Sequence, residues 1–372
     1  MKSILLFLFS LGLIGTTVLW VRHGGGAPYP DLSTAPALDS ASLEQVLEYA
    51  EPVGNVAVNR EGRIFFTVHP ESRPTGNKLL EFVRGAAVPF PSGAEQIELF
   101  DTVLGVAIDR YDRLWTIDHG NHGTRPARIV AVDLNTNVVI REQLLPPEIA
   151  PSGSFLQDLQ VSADGQTIVI ADASFWRKSP AIIVYDVETG EARRVLESHS
   201  SVSAEDYVIR NGDHEMEFLG GAVALRGGID GIALGPEWLY YGALSGSGLY
   251  RIRLRDLRNK TLPAGQLANR VERFGDKPLS DGFSTDIDGN IYITDVEHSS
   301  VFVVGPGRDL ETLIQSSELR WPDALSYGPD GYLYVADSAL SELILQSREH
   351  IAANGPYRVF RFKPGVEGVP GQ

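Results

Sequence analysis

The chain has 372 residues, a formal net charge of −16, no Cys, 38 Gly and 22 Pro. This acidity argues against nucleic acid as a partner, because gripping phosphate takes a basic footprint. The lack of Cys excludes disulfides, thiolate catalysis and a Cys-linked lipid anchor.

The N-terminus reads Met1-Lys2-Ser3, then an apolar run from Ile4 to Val21. One positive charge ahead of such a run is an export signal. Residues 3–21 are also long enough for a marginal membrane span. Residues 1–23 are therefore expected to be either a cleaved signal or an uncleaved anchor. The location is exported (secreted or periplasmic), and this segment is the only expected membrane contact. Residues 24–40, rich in Gly, Pro, Ala and Ser, read as a flexible tether. Leu43–Tyr49 fits either a strand or a short helix.

From there one pattern recurs six times: an apolar stretch, a Gly/Asp-rich turn, a second apolar stretch. The turns fall at Gly62, Asp112, Gly165, Glu237, Gly289 and Gly331. Most intervals are about 40–50 residues, the period of a propeller blade. Helical solenoids share that period, so composition decides. Ile168-Val-Ile-Ala, Ile291-Tyr-Ile-Thr and Leu333-Tyr-Val-Ala are short, β-branched or aromatic, and bounded by hairpin turns. The expected fold is all-β, a six-bladed β-propeller over residues 41–365. Tyr357–Phe362 and Leu43–Tyr49 would share the closing blade, and residues 366–372 would be a disordered tail. Phe65, Trp115, Tyr240, Tyr292 and Tyr334, with Val169 the exception, form a column expected to pack between blades. The one long interval holds an insertion, Glu197 to Arg226, whose many polar residues predict a surface loop.

In a propeller the innermost strands line an axial channel. Asp158, Asp230, Asp281 and Asp323 stand at the starts of four first strands, with Asn55 near a fifth. Carboxylates about 8 Å apart repel by roughly 2 kcal/mol at an effective dielectric of 20. Protons, backbone N–H groups or a cation must relieve this. Oxygen-only donors favour Ca²⁺ or Mg²⁺, with Asp230, Asp281 and Asp323 as the metal ligands. An Asp in this place also commonly caps its own turn. A second column, Asp118, Asp172, Asp295 and Asp337, reads as structural, tying down loops.

The loop Asp118-His119-Gly120-Asn121-His122-Gly123 offers the best titratable groups, with His298 at the same place in blade five. A His there could shuttle a proton at neutral pH, or play no role. Phe175 and Trp176 in the matching loop of blade three could wall an aromatic or amine ligand, or simply cover the blade. A Gly-x-Ser-x-Gly elbow, a Walker loop and a dinucleotide fingerprint are all absent.

Leu104-Gly-Val-Ala-Ile-Asp-Arg-Tyr-Asp-Arg-Leu-Trp-Thr-Ile-Asp118, Gly228-Ile-Asp-Gly-Ile-Ala-Leu-Gly-Pro-Glu-Trp-Leu-Tyr-Tyr241 and Trp321-Pro-Asp-Ala-Leu325 carry a resemblance. From about Leu43 to Phe362 the chain resembles the major royal jelly protein/Yellow family, in a bacterial branch. That likeness implies a secreted six-bladed propeller. Insect members include dopachrome-converting enzymes and binders of small amines. Where those relatives carry a Pro-Arg pair, this chain has His69-Pro70-Glu71, so no role of that Arg carries over. Gluconolactonase-like propellers are the nearest enzymatic analogy. They use Glu, Asn and Asp around an axial divalent ion, but Gly54-Asn55 stands where their first-blade Glu would be. The expected function is to act on, or bind, a small cyclic molecule in the axial funnel, by lactone hydrolysis or tautomerisation. His119 and Asp281 are the expected catalytic residues, and Asn55, Asp158, Phe175, Trp176, Asp230 and Asp323 the ligand contacts. The other reading is a non-catalytic binder of small amines or aromatics. A monomer is expected.

Overall fold

A computed structural model describes residues 15–372. Most of the expected signal or anchor lies outside them; residues 15–23 are helical. No described helix is long and apolar enough to cross a membrane.

Six four-stranded antiparallel sheets follow one another around a ring. Their first strands are Val53–Val58, Val103–Ile108, Leu156–Val161, Ile229–Leu234, Phe283–Thr285 and Pro322–Tyr327, each packed against the next and the last against the first. The sixth blade is completed by Glu44–Tyr49, which pairs antiparallel with Tyr357–Phe362. The segment compatible with helix or strand is thus a strand, because its backbone groups complete the open edge of that sheet.

The aromatic column packs between blades. Phe65 lies in one buried cluster with Val103 and Val106 of blade two, Trp115 with Leu159 of blade three, and Tyr240 with Phe283 of blade five. Trp115 is 1 % exposed, and its Nε1 donates to Asp109 Oδ2 at 2.8 Å. Trp115→Ala is expected to cost about 3–5 kcal/mol, the usual range for a large buried aromatic. Thermal unfolding followed by circular dichroism should show the midpoint falling by roughly 10 °C. An unchanged midpoint would mean that the column does not hold the blades together.

Five of the six first strands carry a bulge near their start, where two residues oppose the space of fewer on the second strand. At several of these strand starts a Gly lets adjacent blades touch. A Cβ on Gly231 would stand 2.5 Å from Asp281 O, and one on Gly282 would stand 2.2 Å from Asp323 O. That contact pulls the strand starts tightly around the axis.

Three segments differ from expectation. Residues 24–40 are bonded to the propeller rather than free. Ala27–Pro28 pairs with Tyr207–Val208, Tyr29 Oη donates to Lys277 O at 2.8 Å, and Leu38 N donates to Leu313 O at 2.8 Å. Tyr29, Leu32 and Leu38 supply apolar anchors that the Gly/Pro-rich composition hid. Residues 366–372 are likewise held. Gly371 bridges Ile108 and Tyr327 through its backbone, and Gln372 Nε2 donates to Ile108 O at 2.7 Å. The inner edges of the first strands leave such groups unpaired, and this segment satisfies them. The insertion is not a loose surface loop either. Val202, Val208, Ile209, Met216, Val223 and Ala224 are buried, and two small hairpins, Arg210–Asn211 with His214–Glu215 and Glu217–Phe218 with Val223–Ala224, fold it over one end of the axis.

Candidate active site

The bulges set which side chains face the axis. The residue two places before the resumed pairing is Gly54, Leu104, Gln157, Asp230, Asp281 and Asp323 around the ring. Asp158 therefore stands one place further along than Asp230, Asp281 and Asp323, and Gln157 takes the position expected of it. Asn55 shares the position of Asp158, and Asn55 Nδ2 lies 3.5 Å from Asp158 Oδ1. These two continue into a small space further down the axis, beside Gln160, Gly371 and Gln372.

Three carboxyls meet beside Gln157. Asp281 accepts from Trp321 Nε1 at 2.7 Å and from Gln157 Nε2 at 3.1 Å. Asp323 Oδ2 faces His69 Nε2 at 3.7 Å, too long for a hydrogen bond. Asp230 Oδ2 is buried without a partner. Burial, with the charges of Asp281, Asp323 and Asp158, holds the Asp230 carboxyl well above its ordinary range. Asp323 is held up in the same way, by burial and by Asp281. Burial lifts Asp281 to about 6, against the hydrogen bonds from Trp321 and Gln157, and lifts Asp158 to about 7. These raised carboxyls favour their protonated forms, which eases the crowding. Among the described residues, no group of three His, Asp or Glu could hold a metal ion. Asp230, Asp281 and Asp323 line one small space together, with each Asp281 oxygen accepting one hydrogen bond.

Above this cluster lies an apolar cavity of about 170 Å³. Phe155, Phe175 and Trp176 wall one side; Phe218, Leu219, Val223 and Leu225 of the insertion roof it; Leu340, Ile344 and Leu345 close the other side. Phe175 and Trp176 both line this cavity, the two rings meeting edge-to-face at 4.8 Å. Asn211 clamps the roof down. Its Nδ2 donates to Val296 O (2.6 Å) and Arg320 O (2.7 Å), and its Oδ1 accepts from Ser341 Oγ (2.7 Å). The polar side chains at the cavity surface are His69, Glu71, His122, Gln157 and Asp230. Gln157 and Asp230 also line the carboxyl cluster, and so join the two spaces.

His122 takes the place expected of His119. Asn121 and His122 both adopt positive φ, 49° and 55°, a strained turn of the kind found at working sites. The turn presents His122 to the cavity and buries His119 behind it. His119 Nδ1 accepts from His122 N at 2.9 Å, its ring packs edge-on against Phe155, and burial drops its pKa to about 3. His122 Nε2 lies 2.8 Å from Glu71 Oε1, and its ring stacks on Phe155 at 4.7 Å. Burial pushes the Glu71 carboxyl up, but the bond from His122 and the charge of that ring more than offset this, and it sits at about 2. Glu71 is aimed by a short turn in which His69 Nδ1 accepts from Glu71 N at 3.2 Å. Burial also keeps His69 neutral, at about 4.

His298 is elsewhere. It bonds Asp295 Oδ2 at 2.9 Å, and that bond raises its pKa to about 9. The second Asp column does fix loops: Asp118 accepts from Asp101 N, Thr102 N and Gly120 N, and Asp337 from Trp321 N. Sequence reasoning passed over Glu71 and His69 as site residues. It also passed over Lys277, which is fully buried behind the cluster with Nζ donating to Ser280 Oγ at 2.8 Å. The only signal for the first two was the departure at His69-Pro70-Glu71 itself.

Fold and site together define a six-bladed propeller with an apolar, acid-floored cavity at one end of its axis. The sequence profile of the Major royal jelly protein family matches residues 101–357. The chain belongs to that family. It is 30 % identical to major royal jelly protein 2 of Apis mellifera over 156 residues, which is 40 % of this chain and 33 % of that protein. It is also 30 % identical to major royal jelly protein 5 of the same bee over 161 residues, covering 25 % of that protein. The chain thus spans a third or less of these relatives. Among solved structures it is similar to a gluconolactonase from Xanthomonas campestris, with a TM-score of 0.54, 14 % identity, and 91 % and 98 % of the two chains covered. It is likewise similar to regucalcin, a calcium-binding protein from Agrobacterium tumefaciens, with a TM-score of 0.55, 15 % identity, and 88 % and 96 % covered. At these identities the likeness is one of fold.

Proposed function

We propose that the propeller takes a small, mostly apolar ring compound into the roofed cavity and moves a proton on it, a tautomerisation. The observation carrying this is Asp230, whose Oδ2 is buried and unpartnered where the cavity meets the carboxyl cluster. A buried orphan of this kind costs about 1–3 kcal/mol, which a ligand's polar group would recover. Burial and its acidic neighbours favour the protonated form of Asp230, and a protonated carboxyl turned to a ligand donates to a ring carbonyl. His122 has Nε2 committed to Glu71 and Nδ1 buried without a partner, and Nδ1 is taken as the basic nitrogen once a ligand displaces the side chains that cover it. In the forward direction Nδ1 takes a proton from the carbon beside the carbonyl. The C–H pair becomes the C=C bond, the carbonyl π pair takes the proton that Asp230 gives up, and after the enol leaves, His122 returns its proton to solvent while Asp230 takes one back. Glu71 stabilises the imidazolium, as a carboxylate does in a triad.

The test uses the full chain in detergent and a panel of cyclic ketones with an adjacent C–H, followed by ultraviolet absorbance and by solvent deuterium uptake. Glu71→Gln is expected to lower kcat by about 10²–10⁴, with KM little changed. Absence of any exchange by the wild type, with binding retained, would leave the second reading: a binder of small amines, favoured by the aromatic wall above an acidic floor.

A further inference from the structure

Resting on that cavity reading, we infer that the cavity mouth lies on a lipid bilayer and draws its ligand from it, which makes the ligand a lipophilic ring compound. Three cavity-lining residues are largely exposed at the mouth: Trp176 (45 %), Leu219 (67 %) and Leu345 (66 %). Large apolar side chains left open around one rim mark a contact surface. The helix of residues 15–23 ends on the same rim. His23 is buried there, its ring 5.7 Å from Phe175 and 5.5 Å from Trp176. The next residue, Gly24, packs so closely on the turn that carries Leu219 that a Cβ would stand 2.8 Å from Gly221 O. Arg226 Nη2 fixes the junction by donating to Gly24 O at 3.0 Å.

This helix is the end of the apolar run that begins at Ile4. Its Val18, Trp20 and Val21 are exposed, although a helix serving only the propeller would turn such residues inward. About 20 apolar residues are what a bilayer crossing requires. A run of that length ending on the rim delivers the mouth to the bilayer surface. Trp20 and Trp176 would lie at headgroup depth, where aromatic residues concentrate, and the exposed Arg22 could reach the phosphates. A ligand leaving the acyl chains would meet Leu219 and Leu345, then the aromatic wall, with little water to cross.

The absence of Cys makes the test direct. Nitroxides are placed singly at Leu219→Cys, Leu345→Cys and, on the opposite face, Glu61→Cys, in the full chain reconstituted into phosphatidylcholine vesicles. The two rim labels are expected to lose severalfold in collisions with a water-soluble nickel chelate and to gain with oxygen, while the Glu61 label stays water-exposed. In the unsubstituted chain, brominated acyl chains are expected to quench Trp fluorescence. Rim labels as open to nickel as the Glu61 label, or a full chain that does not float with the vesicles, would overturn the proposal. No ligand is used, so this outcome is separate from failure of the proton-transfer reading, which is measured in detergent.

Discussion

Asp230→Asn is expected to abolish most turnover of a tautomerisable ring compound, about 10²–10⁴ in kcat, while affinity changes by less than about tenfold. The amide keeps a donor where protonated Asp230 has one, so a neutral carbonyl ligand is still held. It cannot give up a proton, so the chemical step fails. A protonated amine ligand would behave in the opposite way. It would draw its affinity from an ionised Asp230, and losing a buried charge pair costs about 3–5 kcal/mol. Calorimetry and steady-state kinetics on the same variant therefore separate enzyme from binder. Wild-type turnover should fall on the alkaline side, as the raised Asp230 carboxyl finally loses its proton. Full activity in Asp230→Asn would remove this residue from the mechanism.

Asp158→Asn is expected to stabilise the fold, and more so as pH rises. The Asp158 carboxyl is raised by burial to about 7, against about 3.9 in an unfolded chain. A raised acid binds its proton more tightly when folded. Its contribution is complete below about pH 4 and is lost as pH climbs through 7. In a dry site the shift would amount to about 4 kcal/mol at pH 8. Asp158 opens on an internal space, and screening there reduces this to roughly 2 kcal/mol. Asn preserves the bond that Asp158 Oδ1 accepts from Leu159 N at 2.8 Å. Denaturant midpoints of wild type and variant should coincide near pH 4 and separate by pH 8. Parallel curves across that range would mean that Asp158 is ionised in the fold.

The blade count was legible because each blade repeats one hydrophobic pattern, and a pattern is averaged over many residues. Phe175 and Trp176 were legible as candidates because their loop in blade three matches the His119 loop of blade two. Register at the axis was not. A bulge adds one residue, and in Leu156-Gln157-Asp158-Leu159 two neighbouring polar side chains compete for the inward place. Composition cannot choose between them. His119 and His122 were both visible, but the left-handed turn that exposes one and buries the other depends on packing against Phe155. The insertion misled for a related reason. Its hairpins are two residues deep, too short to show alternation, and Asn211 is polar because it must satisfy two carbonyls inside the roof.

The sheet shared by Glu44–Tyr49 and Tyr357–Phe362 bears on biogenesis. A chain threaded outward from its N-terminus would offer the first of these strands long before its mate emerged. Until then the circle stays unlatched, and the sixth first strand has no settled neighbour. Synthesis would leave an open crescent that snaps shut only after residue 357 has emerged. A stop codon placed shortly before that point would leave a product unable to fasten, however intact its other five sheets.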